Sequence, residues 1–241
     1  MYLLEVPVIA VIGNKNSGKT LVIETLTQAL TDRGYRVATV KHIPEEGFTI
    51  DTEGTDTWRH ARAGAKVIIS AAPNEIAINK RTETQEYNLP YIIKECGEDV
   101  DLVILEGFKR LVKNNSSVLK IIAVRTDEEI HETWEGYEPV LAFVGSFSPP
   151  NLKASAPFIN ILTEKEKLLK LVTTRLKAFR EKHNRALAER RVTIKIDGET
   201  LPLRRFVQEI LQRTILSMVS TLKGVEIEGD EEVTVIIKKT K

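Results

Sequence analysis

The stretch Gly13-Asn14-Lys15-Asn16-Ser17-Gly18-Lys19-Thr20 fits the pattern G-x-x-x-x-G-K-[ST]. Residue types at this spacing predict a phosphate cradle. Glycines let backbone N–H groups turn inward around phosphate oxygens. A helix that begins at Lys19 adds the positive end of its dipole. The Lys19 ammonium would neutralise β- and γ-phosphate charge, and the Thr20 hydroxyl would enter a Mg²⁺ shell that keeps several waters. The whole stretch from Gly13 through Leu21 is therefore read as nucleotide-binding. At average residue usage a chain of this length shows the pattern by accident only about 1% of the time. The alternative, a glycine-rich turn with a surface lysine, also fails to explain why an apolar strand precedes it and an amphipathic helix follows.

A cradle of this kind needs a metal and water side. Leu102-Val103-Ile104-Leu105-Glu106 is an apolar strand that ends in a carboxylate, and α/β sheets present ligands at the carboxyl ends of their strands. Glu106 is the candidate to hold Mg²⁺ and orient its water; a solvated strand-end glutamate is the alternative. Asp101 would lie at the far end of that strand. Asp51-Thr52-Glu53-Gly54 has the D-x-x-G form, so Asp51 is a second candidate for metal and γ-phosphate sensing. Base selection would fall to Asp127, which follows the strand Leu119–Val124 through Arg125-Thr126. A carboxylate there accepts from the ring N–H and exocyclic amine of guanine. Capping of the helix begun by Glu128–Ile130 explains the same residue equally well.

These groups must be positioned by a sheet. Apolar runs at Val6–Ile12, Tyr35–His42, Val100–Leu105, Leu119–Val124 and Val140–Val144 alternate with helical spacing at Lys19–Arg33, Thr57–Ala65 and Leu89–Cys96. Further strands are expected at Lys66–Ala71 and Glu75–Asn79. This order predicts an α/β fold, a P-loop NTPase-type, mostly parallel sheet flanked by helices. Leu168, Leu169, Val172, Leu176 and Phe179 predict a docking helix whose far end becomes a charged linker. The first domain is thus residues 1–180. Residues 191–241 read as a small α+β unit for dimerisation or docking, with strands Val192–Ile196 and Val233–Lys238, a turn at Asp197-Gly198 and a helix over Leu203–Leu222.

The 241 residues carry a net charge of +1, with 29% charged side chains of mixed sign. That balance gives no electrostatic reason to expect nucleic acid or a membrane surface. The single cysteine, Cys96, excludes an internal disulfide. No apolar run approaches the ~18 residues of a membrane span, and no secretory signal is read at the start, so the chain is expected to be cytoplasmic. His131 and His183 read as surface residues, Trp58 and Trp134 as packing anchors.

Four stretches taken in order resemble the MobB family, the nucleotide-binding accessory proteins of molybdopterin-guanine dinucleotide biosynthesis. They are Gly13–Thr20, Val40-Lys41-His42, Asp51–Thr57 leading into Ala63-Gly64-Ala65, and Asp101–Lys109. The resemblance spans roughly the first 150 residues. It implies a homodimeric protein that binds GTP with Mg²⁺, hydrolyses it feebly, and assists the MobA-like molybdopterin guanylyltransferase. The chain departs from the family in two places. Pro44-Glu45-Glu46 stands where a further histidine is common, and Thr55 where a lysine often follows the loop glycine. Two other readings remain open: a P-loop small-molecule kinase, with Arg59, His60 and Arg62 near its acceptor, and a partner-binding module in which nucleotide is only structural.

Overall fold

Val, Ile and Leu runs of strand length must be covered on both faces, which a parallel sheet between helices provides. The computed structural model describes residues 6–82, 88–97, 99–132, 134–149, 154–189, 194–196, 199–201, 203 and 205–222. In chain order the elements are β1 (Val8–Gly13), α1 (Lys19–Thr31), β2 (Val37–Lys41), α2 (Asp56–Arg62), β3 (Val67–Ala72), β4 (Glu75–Lys80), α3 (Leu89–Glu95), β5 (Leu102–Glu106), α4 (Lys109–Val112), β6 (Leu119–Ala123), α5 (Asp127–His131), β7 (Val140–Gly145), β8 (Phe158–Asn160), α6 (Lys165–Glu189), β9 (Ile194–Ile196), β10 (Glu199–Leu201) and α7 (Arg205–Ser220). Contacts divide the chain into two compact units, Met1–Phe179 and Arg180–Lys241.

In the first unit a six-stranded sheet runs β2-β5-β1-β6-β7-β8, with every neighbouring pair parallel. The expected mostly parallel α/β architecture is what the chain adopts. The pleat sorts side chains by parity. Ile9, Val11, Leu102, Ile104 and Ile121 pack with Leu26 and Leu30 of α1 and with Leu168, Val172 and Leu176 of α6. Val8, Ala10, Ile12, Val103, Leu105 and Ile122 pack on the other face with Leu89 and Ile92 of α3, Val112 of α4 and Ile130 of α5. This parity decides which strand-end side chains can reach the first turn of α1.

The segments expected as strands at 66–71 and 75–79 do not join this sheet. They pair with each other as an antiparallel hairpin, Ile69 opposite Ile78 and Ala71 opposite Ile76. The physical reason is the two-residue connection, Pro73-Asn74: a parallel partner would need a crossover of a dozen or more residues. Strand β8 is three residues long, too short to show a period. In the second unit β9 and β10 form an antiparallel pair. Asp197-Gly198 and Val233–Lys238, read as a turn and a closing strand, lie outside the described residues.

The core of the sheet also holds an ionisable side chain. Lys120 of β6 is fully buried, and its Nζ donates to the carbonyl oxygens of Asn115 (2.5 Å) and Glu138 (2.9 Å). Burial pushes its pKa down to about 8, against a smaller opposing pull from Glu138. A neutral amine still makes both hydrogen bonds, so the native state releases this proton before the unfolded chain does. Between pH 8 and the free-lysine value near 10.4 the unfolded state binds more protons, so stability rises with pH, by up to about 3 kcal/mol. Below pH 8 both states are protonated and the slope vanishes. Chemical denaturation across this range should show the rise in the parent and not in Lys120→Met; parallel curves would contradict it.

Candidate functional site

Strand β1 ends at Gly13, and the chain turns through Asn14–Gly18 into α1. Gly13 lies against β6, paired with Ala123. A Cβ at Gly13 would stand 2.3 Å from the Ala123 carbonyl oxygen and 2.5 Å from Ser17 Oγ, so only glycine fits. Asn16 takes φ 60° and Gly18, the residue before α1, takes φ 85° with no side-chain cap on the helix. The first turn of α1 carries no acidic residue, leaving its N–H groups and dipole without a local anion. Ser17 Oγ is buried with no hydrogen-bond partner. The Lys19 ammonium folds back over the loop and donates to Asn14 O at 2.7 Å. Partial burial lowers the Lys19 pKa. Glu106 opposes that shift, while Lys109 and Lys41 add to it. A glycine cradle, an orphaned buried hydroxyl, an uncapped helix start and three nearby ammonium groups all suit an anion.

Glu106 reaches this loop because of strand parity. It shares the face of Leu102 and Ile104, which is the α1 face. Register sets it beside Val11 of β1 and Lys41 of β2. Thr20 Oγ1 donates to Glu106 Oε1 at 3.3 Å, and Lys41 Nζ lies 3.2 Å from the same oxygen. The structure thus brings Thr20 and Glu106 together. A hydroxyl beside a carboxylate is a hard-oxygen pair that fits Mg²⁺, whose remaining ligands are ordinarily phosphate and water. No group of three or more His, Cys, Asp or Glu that could hold a metal occurs among the described residues.

Asp51 is engaged in its own loop. Its Oδ1 accepts from Thr57 Oγ1 at 2.6 Å, its N–H donates to Thr49 Oγ1, and Oδ2 is buried without a partner. Neither bond joins it to Thr20 or Glu106. On α2, Arg62 stacks on Trp58 at 5.6 Å and Arg59 pairs with Asp56.

On the other flank, Asp127 is the first residue of α5, with Thr126 at the cap position. Its Oδ2 lies 3.8 Å from His131 Nε2, while Oδ1 is buried without a partner. Glu129, two residues on, is tied into the Asn14–Gly18 loop. It accepts from the Arg125 N–H at 2.7 Å and the guanidinium at 2.8 Å, and from Asn14 Nδ2 at 3.4 Å. Burial would push the Glu129 carboxyl up, but these hydrogen bonds outweigh it and hold it below the usual range. Lys109 Nζ donates to Asn14 Oδ1 at 3.3 Å and sits over the Trp134 ring. Trp134 donates to Glu129 O. Sequence reasoning gave no role to Lys41, Lys109 or Glu129. Parity on adjacent parallel strands could have found Lys41; nothing in the run Asp127–Glu132 marks Glu129 as the buried carboxylate.

Comparison with known proteins matches residues 8–145 to the family described as molybdopterin guanine dinucleotide synthesis protein B. A protein of Methanocaldococcus jannaschii, provisionally named a molybdopterin-guanine dinucleotide biosynthesis adapter protein, is 28% identical over 97% of this chain and 99% of its own length. That alignment extends through the second unit. The Haemophilus influenzae protein of the same adapter name is 35% identical over 44% of this chain, which spans 59% of that relative. A crystal structure of molybdopterin-guanine biosynthesis protein B superposes with TM-score 0.54 at 26% identity, covering 70% of this chain and 99% of the other. Bacillus subtilis MobB, at TM-score 0.53 and 20% identity, shares the fold. The match covers β1 through β7, the whole scaffold that brings Lys19, Thr20 and Glu106 together, and the chain belongs to the molybdopterin guanine dinucleotide synthesis protein B family.

Proposed function

We propose that the protein is an adapter in molybdopterin-guanine dinucleotide biosynthesis, the role for which its relatives are named. It binds GTP with Mg²⁺ at Gly13–Leu21, hydrolyses it slowly, and assists a MobA-like guanylyltransferase. The observation that carries this reading is the phosphate loop itself: Lys19 over a glycine cradle, with Thr20 bonded to Glu106 at its mouth. Thr20 and Glu106 would hold the metal, which supplies charge neutralisation at the phosphates. Asp51, with its partnerless buried oxygen, is assigned to the γ-phosphate side. Asp127 Oδ1, likewise partnerless, is assigned to guanine. In this reading residues 1–180 bind nucleotide and residues 191–241 dock the partner enzyme.

Thermal unfolding tests the nucleotide. A ligand that binds only the native state adds about 2.7 kcal/mol at 100 times its Kd. For a chain of this size that raises Tm by roughly 5–11 °C. GTP with Mg²⁺ should give this shift and ATP with Mg²⁺ should not. Equal shifts would remove guanine selectivity and leave only the phosphate loop.

The homodimer is assigned to the β3–β4 hairpin. Val67, Ile69, Ile76 and Ile78 are each more than half exposed, and the register puts Ile69 across from Ile78 and Ala71 across from Ile76 on one face. A lone two-stranded hairpin is marginal, and an apolar face with little charge to complement suits a second copy of itself. Light scattering should give twice the chain mass for the parent and the single-chain mass for Ile69→Lys/Ile78→Glu. A variant that keeps the parent mass would move the interface elsewhere.

A further inference from the structure

We propose that Lys41 and a divalent cation compete for one oxygen of Glu106, so that Lys41 makes metal binding depend on the arrival of nucleotide phosphate; this rests on the phosphate-loop reading above. The juxtaposition follows from the sheet. Lys41 ends β2 and is paired with Glu106, which ends β5. The Lys41 ammonium and the Thr20 hydroxyl both contact Oε1 of Glu106, at 3.2 and 3.3 Å. A cation held by Thr20 and Glu106 would face the oxygen that the ammonium already holds. A divalent and a monovalent charge about 4 Å apart repel enough, even in a water-like dielectric, to change affinity by about tenfold or more.

The ammonium is free to leave. The Lys41 side chain is 58% exposed against 15% for Glu106, and a four-carbon stem lets the charge swing while the strand stays fixed. Around it stand Lys19 and Lys109, both close enough to act electrostatically on the same site. Two further carboxylates border the loop through Asn14: Glu129, already engaged by Arg125, and Glu132, both of whose oxygens lie 3.4 Å from Asn14 Nδ2. A bare cation therefore enters a cluster of three ammonium groups and must displace Lys41 from Glu106. A metal that arrives with a triphosphate brings negative charge for the displaced ammonium to meet. The site thereby discriminates a metal–triphosphate from the metal alone.

The test uses the full-length protein without nucleotide, titrated with Mn²⁺ and read by electron paramagnetic resonance. GDP binding in EDTA, measured by calorimetry, reports the phosphate loop independently. Lys41→Met should bind Mn²⁺ about tenfold or more tighter than the parent. Lys41→Arg, which keeps the charge, should restore the parent value, and Glu106→Gln should remove the tight binding. With a non-hydrolysable GTP analogue present, the gap between Lys41→Met and the parent should narrow. Equal Mn²⁺ affinity in Lys41→Met and the parent, with GDP binding intact, would overturn the competition and leave the loop reading standing. A parent that does not bind GDP, and whose Mn²⁺ affinity the GTP analogue does not raise, would overturn both.

Discussion

Lys19→Ala should weaken triphosphate binding roughly tenfold to more than a hundredfold, the loss of charge-assisted contacts worth about 1.5–3 kcal/mol. The structure indicates that this loss will be separable from stability. Lys19 donates to Asn14 O, but that carbonyl also accepts from Ser17 N at 3.3 Å, so truncation leaves it paired. The neighbouring ammonium groups of Lys41 and Lys109 lose a like charge rather than a partner. The variant should therefore unfold at nearly the parent denaturant midpoint while its affinity for Mg²⁺–GTP collapses. Calorimetric titration that returned the parent affinity would show that the loop does not hold phosphate.

Gly13→Ala should cost about 3 kcal/mol, the upper end for forced overpacking, and lower Tm by roughly 6–12 °C. The new methyl would lie 2.3 Å from the Ala123 carbonyl oxygen, a backbone atom of the adjacent strand that cannot yield without breaking the β1–β6 ladder. Gly18→Ala provides the contrast. Nothing lies within 4 Å of a Cβ there, so its cost is only that of a left-handed residue, about 1–2 kcal/mol. Melting curves of the two variants, recorded without nucleotide, should differ in that order. Equal losses would mean that conformation, and not the contact with β6, fixes glycine at the start of the loop.

The scaffold was legible because its strands are buried on both faces. Val8–Gly13 and Leu102–Glu106 contain almost nothing but aliphatic residues up to the point where chemistry begins. The placement of Glu106 at a carboxyl end beside the loop follows from that pattern, and its bond to Thr20 is what the structure adds. The segments 66–71 and 75–79 read as strands, and strands lie there at Val67–Ala72 and Glu75–Lys80, but their partner was not legible: composition reports an extended chain, whereas pairing is set by the length of the connection. The polar surroundings were least legible. Glu129 is one of four carboxylates between Asp127 and Glu132, and only the three-dimensional approach of Asn14 and Arg125 singles it out. Asp51 sits in a loop whose sequence reports a turn but not the direction it faces.

The strand order bears on how the protein is made. β1 lies between β5 and β6, with Ile9 beside both Ile104 and Leu119, so the first strand of the sheet to be synthesised waits for partners about a hundred residues downstream. At ~5–20 residues per second, on the order of ten seconds of translation separates β1 from the strands that cover its edges. Until then the loop after Gly13 has no Ala123 behind it and no Glu106 beside it. Such non-local closure is slow and leaves apolar edges open meanwhile. The cradle at Gly13 is therefore complete only after β6 has left the ribosome and the sheet has closed, so no anion bound there could template the nascent chain.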